Sequence, residues 1–301
     1  MKESSPQFLW HDRSVAKKFR SAVSLHSHTQ HSRELLDFIP RYSKKVPVLS
    51  QAVRTQQEKY QKHYGKPMDF RRAWWTPPVT ARQAFDLERE QIERDLGLDA
   101  MVSLSDHDSI EAGTLLQVLR ESNPIPVSVE WTVPYGESFF HIGVHNIPAQ
   151  WAPQVMERLA AYTADPAETR LSDLFCLLHG FPSTLIVFNH PLWDEPGIGE
   201  GLHAAMVERF LGAYKEWIHA LELNGLRSWK ENRGVVQLAK RWKLPIISGG
   251  DRHACEPNAL VNLTNAATFC EFVSEVRNDG QSKVLFMNQY NEPLRLRLMQ
   301  N

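Results

Sequence analysis

Seven short apolar runs, each too short for a typical helix, recur along the chain with helical patterns between most of them. The runs cover residues 23–25, 100–104, 126–129, 139–144, 185–188, 220–223 and 245–247, and the helical patterns cover 81–97, 151–162, 166–179, 202–219 and 233–242. Strands that alternate with helices predict a parallel sheet with helical crossovers. Seven such units favour a closed β/α barrel over an open sheet.

Polar side chains follow each of these runs at the same topological position. In chain order, the candidates are His26 and His28, then Asp106, His107 and Asp108, then Glu130, His141, Asn189 and His190, Glu222 and Asn224, and finally Asp251 and His253. The carboxyl ends of parallel barrel strands open on one face, where active sites are built. Imidazoles and carboxylates are the usual ligands of zinc, manganese and iron. Each motif alone is a weak signal, but their common position predicts a metal site.

The length and composition are compatible with one barrel domain over residues 1–301. The net charge of −1 indicates no particular partner, and the three widely spaced cysteines indicate neither a disulfide framework nor a CxxC metal site. We find no apolar segment of signal-peptide type at the N-terminus and no run near the roughly 20 residues that cross a bilayer. We expect a cytoplasmic protein with no membrane partner. The sequence does not indicate an oligomeric state.

One basic and aromatic segment interrupts the alternation of strands and helices. Residues 41–72 carry nine Lys and Arg against two acids, a net charge of +7, and Trp74 and Trp75 follow closely. We interpret residues at about 37–76 as an insertion. It is either a solvated basic helix whose aromatic residues pack on the barrel, or a lid that attracts anions. Its tyrosines and tryptophans could also stack the bases of a short single-stranded nucleic acid.

Five motifs occur in the order typical of one family: "SLHSHT", "SLSDHDS", "SVEWT" with "HIGVHNI", "NHP" and "GGDRH". From about Val23 to near Leu285, the chain resembles a stand-alone PHP-domain (polymerase and histidinol phosphatase) metal-dependent phosphoesterase. The resemblance implies an α/β fold, a distorted seven-stranded β/α (TIM-like) barrel. It also implies a cluster of two or three divalent metal ions, Mn, Fe or Zn.

The resemblance implies a role for each motif residue. His26 and His28 would bind a first metal with Asp251. Glu130 would bridge it to a second metal held by His141 and His190, and His107 and His253 would help to hold a third. Asp106, Asp108 and Asn224 would orient these ligands.

Three positions depart from the family pattern. Ser24 stands where Asp is common, and Ser32, Arg33 and Glu34 stand where Ser-Asp-Gly is usual, which removes an acidic ligand of the third metal. Either His31 or Glu34 replaces that ligand, or Arg33 contacts the substrate and the centre is binuclear. Arg252 stands where a small residue is common. Its guanidinium either binds phosphate through two parallel hydrogen bonds, as a fork, or faces outward and pairs with an acid.

The function that these inferences imply is hydrolysis of a phosphate ester by a metal-bridging hydroxide. The substrate would be a nucleotide, a short oligonucleotide or a small phosphorylated metabolite. Arg252 or Arg33 would neutralise phosphate oxygens, and His107 or His253 would protonate the leaving group. Two alternatives stay open: a metal-dependent hydrolase of C–N or C–O bonds, and a non-catalytic nucleic-acid-binding PHP module.

Overall fold

The fold is known from a computed structural model that describes residues 6–12, 14–33, 43, 47–70, 79–119, 124–293 and 296–297. The chain divides into two compact units: Met1–Ser32 together with Pro78–Asn301, and Arg33–Pro77. The second unit overlaps the segment that we interpret as an insertion.

The described residues form ten strands and eight α-helices. The strands are β1 (Gln7–Phe8), β2 (Ser21–Leu25), β3 (Asp99–Ser103), β4 (Val127–Tyr135), β5 (Ser138–Ile147), β6 (Leu185–Phe188), β7 (Ala220–Asn224), β8 (Ile246–Gly249), β9 (Leu260–Thr264) and β10 (Val284–Phe286). The helices are α1 (Pro47–Tyr64), α2 (Ala81–Leu96), α3 (Glu111–Leu116), α4 (Ala152–Ala164), α5 (Glu168–His179), α6 (Glu200–Tyr214), α7 (Trp229–Trp242) and α8 (Phe269–Arg277). Over the part of the chain that is described, we find no helix with the length and apolarity to cross a membrane.

The strands pair into two five-stranded sheets, in the orders β1-β10-β9-β2-β3 and β4-β5-β6-β7-β8. The pairing is mixed, whereas the sequence predicted parallel strands. β5 is antiparallel to β4 and β6, and β9 is antiparallel to β2 and β10. The hairpin at β4–β5 has a simple cause: Gly136, at φ 58°, and Glu137 are the only residues between the two strands, and so short a connection can join only antiparallel strands.

The two sheets approach each other at the carboxyl ends of several strands. Isolated bridges join Ser27, beyond β2, to Arg252, beyond β8, and join His107, beyond β3, to Glu130 in β4. Continuous strand pairing among the described residues does not close the seven predicted strands into one barrel. The bridges nevertheless bring the ends that carry the candidate ligands together.

Helix α2 begins and ends where the sequence predicted. Thr80 caps its N-terminus through a reciprocal capping box with Gln83, and Gly97 ends it in the left-handed conformation at φ 66°. Its buried face carries Ala84, Phe85 and Ile92, but it also buries Glu88. A buried carboxylate on an otherwise apolar face needs a specific partner, which is described below.

Helix α1 belongs to the second unit. Its described basic side chains Arg54, Lys59 and Lys62 are exposed, and the rings of Tyr60 and Tyr64 contact each other with centroids 4.6 Å apart. Tyr42, Trp74 and Trp75 lie outside the described residues. The choice between a solvated helix and an anion-attracting lid therefore stays a prediction.

The main core lies under the β4–β8 sheet and is rich in aromatic rings. Phe210 of α6 is fully buried, with ring centroids 5.0 Å from Phe140 of β5 and 5.1 Å from Phe188 of β6. Tyr135 meets the same ring edge-on at 5.1 Å. This packing fixes α6 against the sheet that carries Glu130, His141 and His190.

We expect Phe210→Ala to lower the free energy of unfolding by about 3–5 kcal/mol, because it removes a fully buried ring and leaves a cavity. Leu202→Ala on the same helix is the matched control, since Leu202 is 44% exposed. It should change stability by only about 0.5 kcal/mol. Urea denaturation followed by circular dichroism measures both, and equal effects of the two variants would contradict this packing.

Candidate metal centre

The centre of the site is the carboxylate of Glu130, which is completely buried in β4. Its Oε2 atom lies 2.8 Å from Nε2 of His26, 3.2 Å from Nε2 of His107 and 3.4 Å from Nε2 of His28. Its Oε1 atom lies 3.2 Å from Nε2 of His190 and 3.7 Å from Nδ1 of His141. Five imidazoles thus surround one carboxylate.

A second carboxylate, that of Asp251, completes one side of the cluster. Its Oδ1 atom lies 3.3 Å from Nε2 of His28, 3.7 Å from Nε2 of His26 and 3.9 Å from Nδ1 of His253. Its Oδ2 atom accepts a hydrogen bond of 3.0 Å from the side-chain amide of Asn224.

The eight residues that the sequence named as ligands therefore lie together. They form four overlapping groups whose potential ligand atoms lie within 4.8 Å of one another: His26, His28 and Glu130; His26, His190 and Asp251; His28, Asp251 and His253; and His107, Glu130 and His141. His107 and His253, expected to share a third metal, fall in different groups.

Several ligands occupy strained backbone positions at strand ends. His26, His190 and Asp251 have positive φ angles of 64°, 26° and 50°, in the left-handed region that non-glycine residues rarely adopt. Such strain costs about 1–3 kcal/mol per residue and persists only where surrounding contacts enforce it. One such contact is the 2.9 Å hydrogen bond from the amide of His28 to the carbonyl of Arg252.

His141 joins the cluster because β5 is antiparallel. It lies near the start of β5, opposite Thr132 of β4, so the beginning of β5 meets the carboxyl ends of the neighbouring strands. Likewise, Glu130 lies within β4 rather than after it. The sequence named both residues as candidates, although it assumed parallel strands for both.

The electrostatics of the cluster favour added positive charge. Burial opposes protonation of His26, but the charges of Glu130, Glu222 and Asp251 outweigh it and raise the pKa of His26 well above 6.5. Burial likewise opposes ionisation of Glu130, yet His107, His26 and His141 hold its pKa well below 4.5. Burial, together with the charge of His253, lowers the pKa of His28 to about 4, so this imidazole is neutral at pH 7. A neutral imidazole has a lone pair for a metal.

A further layer of side chains orients these groups. The Oε2 atom of Glu222 lies 2.7 Å from Nδ1 of His26. Its Oε1 atom accepts a hydrogen bond of 2.7 Å from the side-chain amide of Asn224. Asn189 donates to Oε1 of Glu130 at 2.9 Å. From the sequence, Asn224 was predicted to orient the ligands, but Glu222 and Asn189 were not. Glu222 lies within one apolar run, and Asn189 directly follows another. Gly249 is required here, because a Cβ would lie 2.1 Å from the Glu222 carboxylate.

Asp106 and Asp108 accept hydrogen bonds from backbone amides rather than from imidazoles. Asp106 accepts hydrogen bonds from the amide and the hydroxyl of Thr29, and burial raises its pKa to about 6. Asp108 accepts a 2.9 Å bond from the amide of Thr132, beside Glu130 on β4. They therefore fix the loops that carry the ligands, as a positioning role requires.

Arg252 does not face a substrate. Its guanidinium is buried and donates to Oε1 of Glu88 at 2.7 Å, and its other donors reach the carbonyls of Ala84, Ala254 and Glu256. Glu88 also accepts from Ser24 at 2.8 Å. The prediction of a phosphate fork is therefore corrected, because the donors that such a fork needs are engaged inside the protein. Glu88, 164 residues away in sequence, was missed, and no local pattern marks it.

Of the two candidates for a replaced third-metal ligand, the described one, His31, does not join the cluster. Nδ1 of His31 lies 3.0 Å from Oε2 of Glu111, at a partly exposed position. Arg33 is exposed, and Glu34 lies outside the described residues. A different carboxylate, Glu195, lies 3.8 Å from Nδ1 of His141.

The donor set fits a divalent metal ion. Nε2 of His28 is buried, points at two carboxylates and makes no hydrogen bond. Buried polar atoms are ordinarily paired, so such an atom indicates a missing partner. Neutral imidazoles and ionised carboxylates are the ligands that Zn, Mn and Fe accept.

No family model and no curated protein matches the sequence. In structure, the chain is similar to PsfC from Pseudomonas syringae, at 17% identity and a TM-score of 0.51, over 93% of this chain and 96% of that one. This likeness concerns the fold alone.

Two weaker likenesses say nothing about the activity of this chain. One is to a protein from Bifidobacterium adolescentis, provisionally described as a metal-dependent phosphoesterase, at 14% identity and a TM-score of 0.41, over 85% and 95% of the two chains. The other is to an amidohydrolase from Chromobacterium violaceum with bound sulfate and no metal, at 18% identity and a TM-score of 0.38, over 58% and 83%.

We expect Glu88→Gln to lower the free energy of unfolding by about 3–5 kcal/mol, because it leaves the buried charge of Arg252 without its partner. Burial opposes ionisation of Glu88, but Arg252 and its hydrogen-bond donors lower its pKa below the ordinary 4.5. The stabilisation is therefore present above pH 4.5 and is lost as the pH falls through the folded-state pKa. Denaturant titration at pH 7 measures the effect.

The control is Glu93→Gln on the same helix, where the side chain is 54% exposed and a change of only about 0.5 kcal/mol is expected. If Glu88→Gln were as stable as this control, the interpretation of Arg252 as an internal structural cation would be wrong.

Proposed function

We propose that this chain is a metal-dependent phosphoesterase of the PHP type. The observation that carries the proposal is the convergence of Glu130 with five imidazoles and Asp251, from motifs that follow the family's order. The strand ring β2-β3-β4-β5-β6-β7-β8, with two of its junctions made by isolated bridges, supports a distorted seven-stranded barrel of that type.

We assign the ligands in three sets. His26, His28 and Asp251 would hold one divalent ion, His141 and His190 would hold another, and Glu130 would serve both. His107 and His253 are the candidates for a third ion, so the number is two or three and the metal is Mn, Fe or Zn. When bound, the ions lower the pKa of water and neutralise charge on phosphate oxygens.

The residues of the chain prepare this chemistry in several ways. Glu222 fixes the ring of His26 so that Nε2 faces Glu130. Asn189 and Asn224 hold the two ligating carboxylates in orientation. His107 is the most exposed imidazole of the cluster, with 11% of its side chain accessible, and in a centre of two ions, where it is not a metal ligand, it is the group that we propose protonates the leaving alkoxide. His253 is the second candidate for this step.

The choice of a phosphate ester rests on the family's motif order, because the same cluster would serve a hydrolase of C–N or C–O bonds. Arg252 is left out of phosphate binding, and Arg33 stays a candidate. Within the class, a nucleotide, a short oligonucleotide and a small phosphorylated metabolite are all compatible with the cluster. Binding of single-stranded nucleic acid without turnover is the remaining alternative, and cytoplasmic location stays a prediction.

Replacement of His26 or Glu130 by alanine should remove bound metal and abolish turnover, because each side chain contacts several other ligands. Elemental analysis of the purified protein and an assay with p-nitrophenyl phosphate measure the two effects. Glu130→Gln keeps the volume of the buried side chain and serves as a second variant if alanine unfolds the protein. His63→Ala, at an exposed histidine of α1, is the control and should keep full metal content and activity.

A substrate panel separates the bond classes. Phosphate esters and nucleotides should be hydrolysed in the presence of Mn, whereas amides and lactones should not. Turnover of amides or lactones alone would replace phosphate-ester hydrolysis by the C–N or C–O alternative. Salt-sensitive binding of single-stranded DNA without turnover of any substrate would favour the non-catalytic module.

A further inference from the structure

A cavity of about 670 Å³ is lined by none of the candidate metal ligands. Its walls include the rings of Phe8, Trp10, Trp229 and Tyr290. Cavities that bind small molecules commonly measure about 300–1,000 Å³ and combine apolar walls with a few placed polar groups. The size and the aromatic lining therefore suit a small organic ligand.

The polar groups at this cavity are unusual because several lack hydrogen bonds. Arg227 and Arg297 both line it, and the buried Nε atom of each makes no hydrogen bond. Arg297 is 3% exposed and forms an ion pair of 3.6 Å with Glu256, whose two carboxylate oxygens also lack hydrogen bonds. Glu256 does not line the cavity, but buried polar atoms are ordinarily satisfied, so the Nε atoms of the two lining arginines suit an occupant with hydrogen-bond acceptors.

Three residues of the cavity wall follow the carboxyl ends of strands, as the candidate ligands His26 and Asp251 do. Trp10 follows β1, Arg227 follows β7 and Tyr290 follows β10, and these three strands run in the same direction as β2. One aromatic ring, that of Trp193, links the cavity wall to the metal centre. Arg227 lies 3.7 Å above the ring of Trp193, and that ring contacts the ring of His190 at 5.1 Å.

The chemistry of the walls defines the class of ligand. Flat aromatic faces favour a flat ring that stacks on them. Arg227 favours an anionic group, whereas the charge of Arg297 is already offset by Glu256. Glu292, also on the wall, is an acceptor that suits an N–H donor on the ring.

We propose that this cavity binds a heteroaromatic ring that carries an anionic group, of about the size of a nucleoside monophosphate. The identification of this ligand with the non-reacting part of the substrate rests on the proposed function. The binding itself does not, because no metal ligand lines the cavity.

Isothermal titration calorimetry with adenosine 5′-monophosphate, adenosine and ribose 5-phosphate tests the proposal. The full chain is used as purified and again after treatment with a chelator. Adenosine 5′-monophosphate should bind in both states, and more tightly than ribose 5-phosphate. Trp229→Ala should weaken binding of both adenosine compounds about five- to hundredfold, which corresponds to the loss of one stacked ring.

Arg227→Gln should weaken binding of adenosine 5′-monophosphate at least tenfold and change binding of adenosine less than twofold, because only the charged group contacts the arginine. Trp151→Ala is the matched control, since Trp151 is 51% exposed and lies outside the cavity. It should bind like the unmodified chain, and circular dichroism checks that every variant folds.

Three results would each overturn the inference: no binding of adenosine 5′-monophosphate at millimolar concentration, equal affinity for ribose 5-phosphate, or unchanged affinity in Trp229→Ala. If any of these results is found for a chain that hydrolyses phosphate esters, the proposed function stands and the inference about this cavity is wrong. If the chain binds adenosine 5′-monophosphate as described but hydrolyses no substrate, the inference about the cavity stands and the proposed function is wrong.

Discussion

The constraint on which the site depends is the burial of three carboxylates, Glu130, Glu222 and Asp251, in one small volume. Burial of ionised groups without compensation is far too costly for a folded protein. Among the described residues, their close partners are imidazoles and side-chain amides rather than Lys or Arg. Imidazoles compensate only when they are protonated. Burial, together with the charges of neighbouring histidines, lowers the pKa of His28 and His141 and keeps both neutral, whereas the carboxylates raise the pKa of His26 well above 6.5. The protonated His26 offsets part of this negative charge, and the remaining carboxylates and neutral imidazoles suit divalent cations.

This electrostatic demand explains why the surrounding backbone tolerates strain. His26 and Asp251 keep left-handed conformations at the ends of β2 and β8, where backbone hydrogen bonds cross between the two sheets. Gly249, just before the second of these turns, leaves room for the Glu222 carboxylate that orients His26. The sheet edges, the turns and the ligands are thus coupled, and a change in one displaces the others.

The sequence predicted local features well and long-range partners poorly. All seven apolar runs became strands, because buried runs of that length have few other solutions, and the eight ligand candidates came together. The hairpin β4–β5 and the strands β1, β9 and β10 were missed: sheet direction and edge pairing depend on contacts between distant segments. Arg252 was misassigned for the same reason, since its partner Glu88 lies on a helix face that otherwise reads as an amphipathic core segment.

Glu88 also accounts for two of the departures from the family pattern together. Ser24 donates to Oε2 of Glu88 while Arg252 donates to Oε1, and Asn258 donates to both Ser24 and Glu88. An aspartate at position 24 would place a second carboxylate against Glu88, with one arginine to compensate two charges. The serine and the arginine are therefore two parts of one neutral, fully hydrogen-bonded network. That network holds the loop after β8 and adds no net charge to the neighbouring cluster.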